Sequence, residues 1–249
     1  MKKTLFLIVF FVMNVTAEEN FLSLNLQLHY DFKREHLTST LEFFTTDEWG
    51  YTFCFTDVNF NHHVIPEATG KRGGMSDVYF ELMRYFRLKK FKSWKLYATV
   101  QYDDGNEPIK QVWLAGLNAG DIQVGPLVIS TEFLLKKEYK LGVNWQYTVV
   151  WNMELWNNRL VFNGFLDYWV NDVDNAHWPD FDPEIVASRY SFQAEPQIGY
   201  LITPRWKIGS EVEISRGFLG STTGKLALEE RYRHDKWYFL PTLFLQYNF

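Results

Sequence analysis

Between Phe21 and Phe32, apolar and polar side chains alternate without a slip. Leu22, Leu24, Leu26, Leu28, Tyr30 and Phe32 fall on one side, and Ser23, Asn25, Gln27, His29 and Asp31 on the other. A period of two is a β-strand with unlike faces. Turning that polar row towards a dry core would carry a heavy desolvation cost. Turning it towards water inside a barrel costs little.

The same period returns at the C-terminal stretch. Trp237, Phe239, Pro241, Leu243, Leu245, Tyr247 and Phe249 form an apolar row, while Tyr238, Leu240, Thr242, Phe244, Gln246 and Asn248 form a row that becomes polar towards its end. A last strand of a soluble sandwich would show the same alternation. Ending on an aromatic residue is less usual there, because the termini of soluble domains are commonly frayed and polar. Such an ending is similar to the assembly signal of bacterial outer-membrane barrels. It implies the assembly machinery as a partner.

Composition separates the two readings. Mean hydropathy is −0.24, yet aromatic residues make up 18% of the chain, with Trp 10, Tyr 14 and Phe 22. Strands with apolar residues to lipid and polar ones to a lumen average to low hydropathy. Aromatic girdles at the two membrane interfaces account for the aromatic excess.

The N-terminus reads as a secretory leader. Lys2 and Lys3 precede a short apolar run, and small residues come before Glu18, which predicts cleavage after Ala17. The run is too short for a spanning helix. Glu18 rather than Cys follows the cut, which excludes lipoprotein anchoring there. Residues 18–249 are then one barrel domain. Loss of Lys2 and Lys3 takes the formal charge from −5 to −7. No basic patch points to nucleic acid. The single Cys54 makes no internal disulfide and reads as a small buried or lumenal residue.

About twelve strands of roughly ten residues follow, the length that crosses a tilted barrel wall. Tight connections are expected at Asp47–Gly50, Leu88–Ser93, Gly120–Pro126, Asn157–Asn158 and Thr203–Arg205. Long ones are expected at Asn59–Met75, Asn171–Ser188 and Arg216–Lys236. The fold class is therefore all-β: a transmembrane, antiparallel, up-and-down β-barrel contacting outer-membrane lipids. Pairing of the final strand with both Trp206–Ser215 and Phe21–Phe32 is expected to close it. The pattern leaves two matters open. Tyr51, Phe53 and Phe55 lie opposite Thr52, Cys54 and Thr56 with neither row marked as the lumenal one, and Trp113–Ala119 fits either face.

Catalytic chemistry is not evident. The histidines His29, His36, His62, His63, His177 and His234 form no recognised nucleophile–base pattern. His62-His63 as a metal pair, or Asp172, Asp174, Asp180 and Asp182 as a calcium loop, are outweighed by solvated loops, and the acidic run lacks the glycine and terminal glutamate of a dedicated calcium loop. No cofactor is expected. The lumen is more informative: Glu42, Glu81, Glu132, Asp167, Glu195, Glu211 and Glu213 project inward with Lys95, Lys207, Tyr79, Tyr97, Phe165 and Trp169. These groups either bind a solute by hydrogen bonding and stacking, or pair with one another and stiffen the barrel.

Several stretches resemble the Tsx-like nucleoside-specific channel-forming outer-membrane proteins. Trp49-Gly50-Tyr51-Thr52-Phe53-Cys54-Phe55-Thr56-Asp57 resembles their early Gly-x-x-Phe-x-Phe-x-Asp signature, and Tyr79-Phe80-Glu81 the acidic strand after it. Gly164-Phe165-Leu166-Asp167-Tyr168, Glu195-Pro196-Gln197 and Gly209-Ser210-Glu211 resemble later strands in the same order. The resemblance implies a twelve-stranded, monomeric channel with weak nucleoside sites. Combined with the inward register, it singles out Glu81, Phe165, Asp167, Glu195, Gln197 and Glu211 as substrate-binding residues. A non-conducting barrel serving as a surface receptor is the other reading.

Deleting Phe249 is expected to lower the yield of folded barrel while leaving solute preference in the surviving fraction unaltered. Heat-modifiable electrophoretic mobility and single-channel recording measure the two separately.

Overall fold

The computed structural model describes residues 21–60, 74–105, 111–172, 188–218, 226, 233 and 235–249. The expected leader, His62-His63, His177, His234, Asp174, Asp180 and Asp182 lie outside them. The strands are β1 (Leu22–Asp31), β2 (His36–Asp47), β3 (Gly50–Phe60), β4 (Met75–Lys90), β5 (Lys95–Gly105), β6 (Val112–Val124), β7 (Leu127–Glu138), β8 (Val143–Leu155), β9 (Leu160–Val170), β10 (Tyr190–Ala194), β11 (Gln197–Leu201), β12 (Trp206–Arg216) and β13 (Trp237–Asn248).

Neighbours in sequence pair antiparallel all the way round, and β13 pairs with both β12 and β1. Phe249 extends that last seam by donating its amide to the Leu24 carbonyl at 3.1 Å. The sheet therefore closes with no free edge. β10 and β11 both lie between β9 and β12, so they are halves of one stave and the wall has twelve.

The wall is inside out by the standard of a soluble protein. Asn25, Gln27, His29 and Asp31 are buried, while Leu28, Tyr30, Phe133, Leu135, Phe239 and Leu243 are exposed. Exposed apolar rows suit lipid, and buried polar rows suit a narrow lumen. No helix among the described residues is long and apolar enough to cross a membrane; strands form the wall.

Both chain ends of the barrel meet one rim, together with the short β2–β3, β4–β5, β6–β7, β8–β9 and β11–β12 connections. In the first of these, Asp47 Oδ1 accepts from the amides of Trp49 at 2.8 Å and Gly50 at 3.0 Å. Asn157 and Asn158 sit at positive φ, as the expected hairpin turn requires. Connections 61–74, 171–189 and 217–236 leave from the other rim.

Several expectations shift. β4 runs on to Lys90, through the start of the turn expected at Leu88–Ser93. β6 passes through a register shift between Ala119 and Ile122 and reaches Val124, so the turn narrows to Gly125-Pro126. Trp113 and Leu117 face outward, at 52% and 54% exposure. Cys54 belongs to the outward row between Phe43 and Leu82, and is neither lumenal nor fully buried. The cause is alternation: Phe53 and Phe55 turn inward, so Cys54 must turn out.

The expected strand Tyr190–Leu201 is interrupted at Glu195-Pro196, because proline has no amide for the ladder. The register survives the break. Ala194 faces Ile214 and Leu166, and Gln197 faces Glu211 and Asn163, three residues on along each strand. Gly164, at φ 152°, lies opposite the break. A Cβ there would sit 2.3 Å from the Glu195 carbonyl oxygen and 2.8 Å from Trp151 Cζ2.

Gly164→Val is accordingly expected to destabilise the barrel. The heat-modifiable band should convert to its unfolded form at a lower temperature than in the wild type.

Candidate functional site

The inward rows converge on two carboxylate clusters. In the first, Glu211 and Glu213 project from β12, and Glu195 from the β10–β11 break. Asp57, from β3 on the far wall, lies within electrostatic reach of Glu195 and Glu211. Gln193 Nε2 donates to Glu195 at 2.6 Å, and Thr40 Oγ1 donates to Asp57 at 2.5 Å. Gln197 Nε2 donates to Glu211 at 3.1 Å and to Gln27 Oε1 at 3.3 Å, reaching across two intervening strands. His29 Nδ1 lies 3.7 Å from Glu211.

The second cluster is built from β4, β5, β7 and β9. Glu81 accepts from the Tyr79 hydroxyl and from Gln101 Nε2 at 3.3 Å; the same Gln101 nitrogen donates to Asp103 at 2.9 Å. Asp167 accepts from Thr148, and Glu132 accepts from the Tyr85 hydroxyl at 3.2 Å. Asp103 and Asp167 both act electrostatically on Glu81, so the two walls meet here as well.

Cations are few beside these acids. Arg34, in the β1–β2 turn, folds back into the barrel. Its Nε pairs with Asp31 at 3.0 Å and its Nη2 with Glu213. Lys207 lies over the Phe244 ring at 5.3 Å, and Lys136 over Trp169 at 5.3 Å. Phe244 also stacks on His29 at 5.2 Å and packs where Gly209 leaves room for it.

Aromatic side chains form a further tier. Tyr51 stacks on Tyr85 at 4.2 Å and meets Tyr97 edge-on at 5.2 Å. Phe55 meets Tyr79 edge-on at 5.9 Å. At the short-turn rim, a cavity of ≈ 580 Å³ is lined by Phe44, Tyr51, Tyr97, Arg87, Lys95 and Asp121, among others. Lys95 is paired there with Asp121 at 2.6 Å.

All six residues singled out from sequence lie on inward rows. Glu195, Gln197 and Glu211 come together. Glu81 and Asp167 belong to the other cluster, and Phe165 shares the inward row of Asp167 on β9. Sequence reasoning placed Phe53, Phe55 and Asp57 in the Tsx-like signature without orienting them, and missed Asp103, Arg34 and Lys136. The Thr40–Asp57 pair is a register contact that follows from the tight turn at Asp47–Gly50, which sets the β2–β3 pairing. Arg34 sits 179 residues from Glu213 in sequence and had no local signal. Among the described residues, no group of three or more His, Cys, Asp or Glu is placed to hold a metal ion. Asp172 accepts instead from the Gly142 amide at 2.6 Å.

A family model described as "Domain of unknown function (DUF5020)" matches residues 23–249. No curated protein matches in sequence. Among solved structures, the "KdgM porin" is 10% identical, with a TM-score of 0.54 over 91% of this chain and 99% of that one. The same porin "in complex with disordered oligogalacturonate" gives 0.53 at 10% identity, over 91% and 99%. The NanC porin gives 0.57 at 9% identity, over 91% and 98%. These likenesses show the fold, that of a twelve-stranded outer-membrane porin.

Replacing Arg34 by Ala strips buried Asp31 and Glu213 of their cation, and breaking a buried pair on one side costs about 3–5 kcal/mol. The variant is expected to unfold at lower denaturant concentration than wild type, by tryptophan fluorescence in detergent.

Proposed function

For a chain that belongs to the DUF5020 family, we propose a channel of the outer membrane that passes small polar solutes by diffusion, nucleosides foremost, with no covalent chemistry. The observation that carries this reading is the closed, inside-out wall, with buried polar and aromatic rows facing a common axis. A pore must bind its solute weakly enough to release it, and dispersed polar groups suit that requirement better than a deep pocket.

Support for nucleosides comes from where the Tsx-like stretches fall. Phe53, Phe55 and Asp57 of the early signature turn inward together. So do Phe165 with Asp167, Glu195 with Gln197, and Glu211. Rings on these strands can stack on a base, and the carboxylates and amides can accept from ribose hydroxyls. Glu81, Phe165, Asp167, Glu195, Gln197 and Glu211 are the residues proposed to make these contacts. The solved porin with oligogalacturonate shows a related barrel beside a sugar polymer. In this reading a single chain forms the pore, and its C-terminal strand engages the assembly machinery.

One observation favours a second reading. Arg34–Glu213, Gln197–Gln27 and Tyr85–Glu132 each tie non-neighbouring strands across the inner surface. A bore crossed at these points suits a non-conducting barrel that displays its long connections as a receptor surface.

In planar bilayers the purified protein is expected to conduct, and adenosine to reduce the current where glucose leaves it unchanged. Conductance indifferent to adenosine would remove the nucleoside claim. Absence of conductance would favour the receptor.

A further inference from the structure

We propose that the lumen selects its charged solutes by sign, admitting small cations and turning away anions, polyanionic sugars included. The inference rests on the channel reading above and adds a charge preference to it.

The first support is the imbalance of the inward groups. Two clusters of four carboxylates, built around Glu195 and around Glu81, face Arg34, Lys136 and Lys207. Arg34 is already bound to Asp31 and Glu213. Lys136 and Lys207 are each drawn by more than one acid: Glu138, Asp103 and Asp167 in one case, Glu42 and Glu211 in the other. The positive charge that would balance the clusters has to come from protons or from mobile cations. An anion entering the same space meets like charge with little to offset it.

A second observation is independent of charge. Gln197 is only 6% exposed and points into the Glu195 cluster. Its Nε2 is used twice, yet its Oε1 has no hydrogen-bond partner among the described residues. Asn163, directly opposite Gln197 on β9, holds an unpartnered Oδ1. On β13, Gln246 is 6% exposed, and its Oε1 is unpartnered too. All three orphans are acceptors. A buried acceptor without a donor costs free energy, so these positions are complementary to a guest that brings N–H groups, hydration-shell donors or positive charge. Chloride brings neither N–H groups nor positive charge.

Oxygen acceptors beside acid rings are a means of discriminating cations in pores. Aromatic faces reinforce it. Lys207 over Phe244 and Lys136 over Trp169 show that these rings already receive ammonium groups.

The test is a reversal-potential measurement on the full-length protein in planar bilayers under a KCl gradient. The reversal potential should correspond to a K⁺ permeability about tenfold above that of Cl⁻. In the Glu195→Gln, Glu211→Gln double variant the ratio should fall by more than half. Asp57→Asn, on the opposite wall, should lower it independently, which guards against a folding defect in the first variant. A ratio near unity or favouring Cl⁻ in the wild type overturns the proposal and leaves the channel reading standing. A barrel that carries no current at all overturns both.

Discussion

A peptide group left unpaired in hydrocarbon has no water to turn to. Every strand in such a medium must therefore be bonded on both sides. In this chain that demand is met by the seam between β1 and β13, where Asn25 through Asp31 face Asn248 through Thr242. Closure then fixes the rest. Once the sheet is a cylinder, each strand has one face to lipid and one to the axis, and alternation sorts the side chains. The polar row of β1 is buried because the cylinder exists, and the cylinder exists because its first and last strands match in register.

Closure also concentrates charge. Carboxylates that would be dispersed on an open sheet are brought towards one axis, where Asp57 feels Glu195 from the far wall. Hydrogen bonds from Gln101, Gln193, Gln197, Thr40 and Thr148 hold the acids in place. These neutral donors fix the geometry of the inner surface. The Arg34 turn has the opposite character. It ties Asp31 and Glu213 together and acts as a strut.

Much of this was legible in sequence where the physics is local. The period of two in Phe21–Phe32 marked a two-faced strand, and the same period put Glu81, Asp167, Glu195 and Glu211 inward. It failed to orient β3, since Thr52, Cys54 and Thr56 are as small and weakly polar as Phe53 and Phe55 are apolar. Hydropathy alone would send the rings to lipid; the register with Glu42 and Glu81 sends them inside. Turn residues misled at Gly120, because a glycine beside Asp121 at positive φ also fits a register shift within a strand. Contacts such as Arg34 with Glu213 depend on closure, and no local pattern encodes them.

The interruption at Glu195-Pro196 has a consequence for the wall itself. Proline leaves the ladder short of one donor in mid-stave, with Glu195 still donating to Phe165 and Val212 to Pro196. On the lipid side the indole of Trp151 covers Gly164 opposite the gap, an aromatic shield over backbone that has little side chain of its own. The interrupted stave is thus covered from outside, and on its inner surface it carries Glu195 and Gln197. The gap in the ladder and the acidic lining share one address, so any lateral loosening of the wall there shifts Glu195 and Gln197 with it.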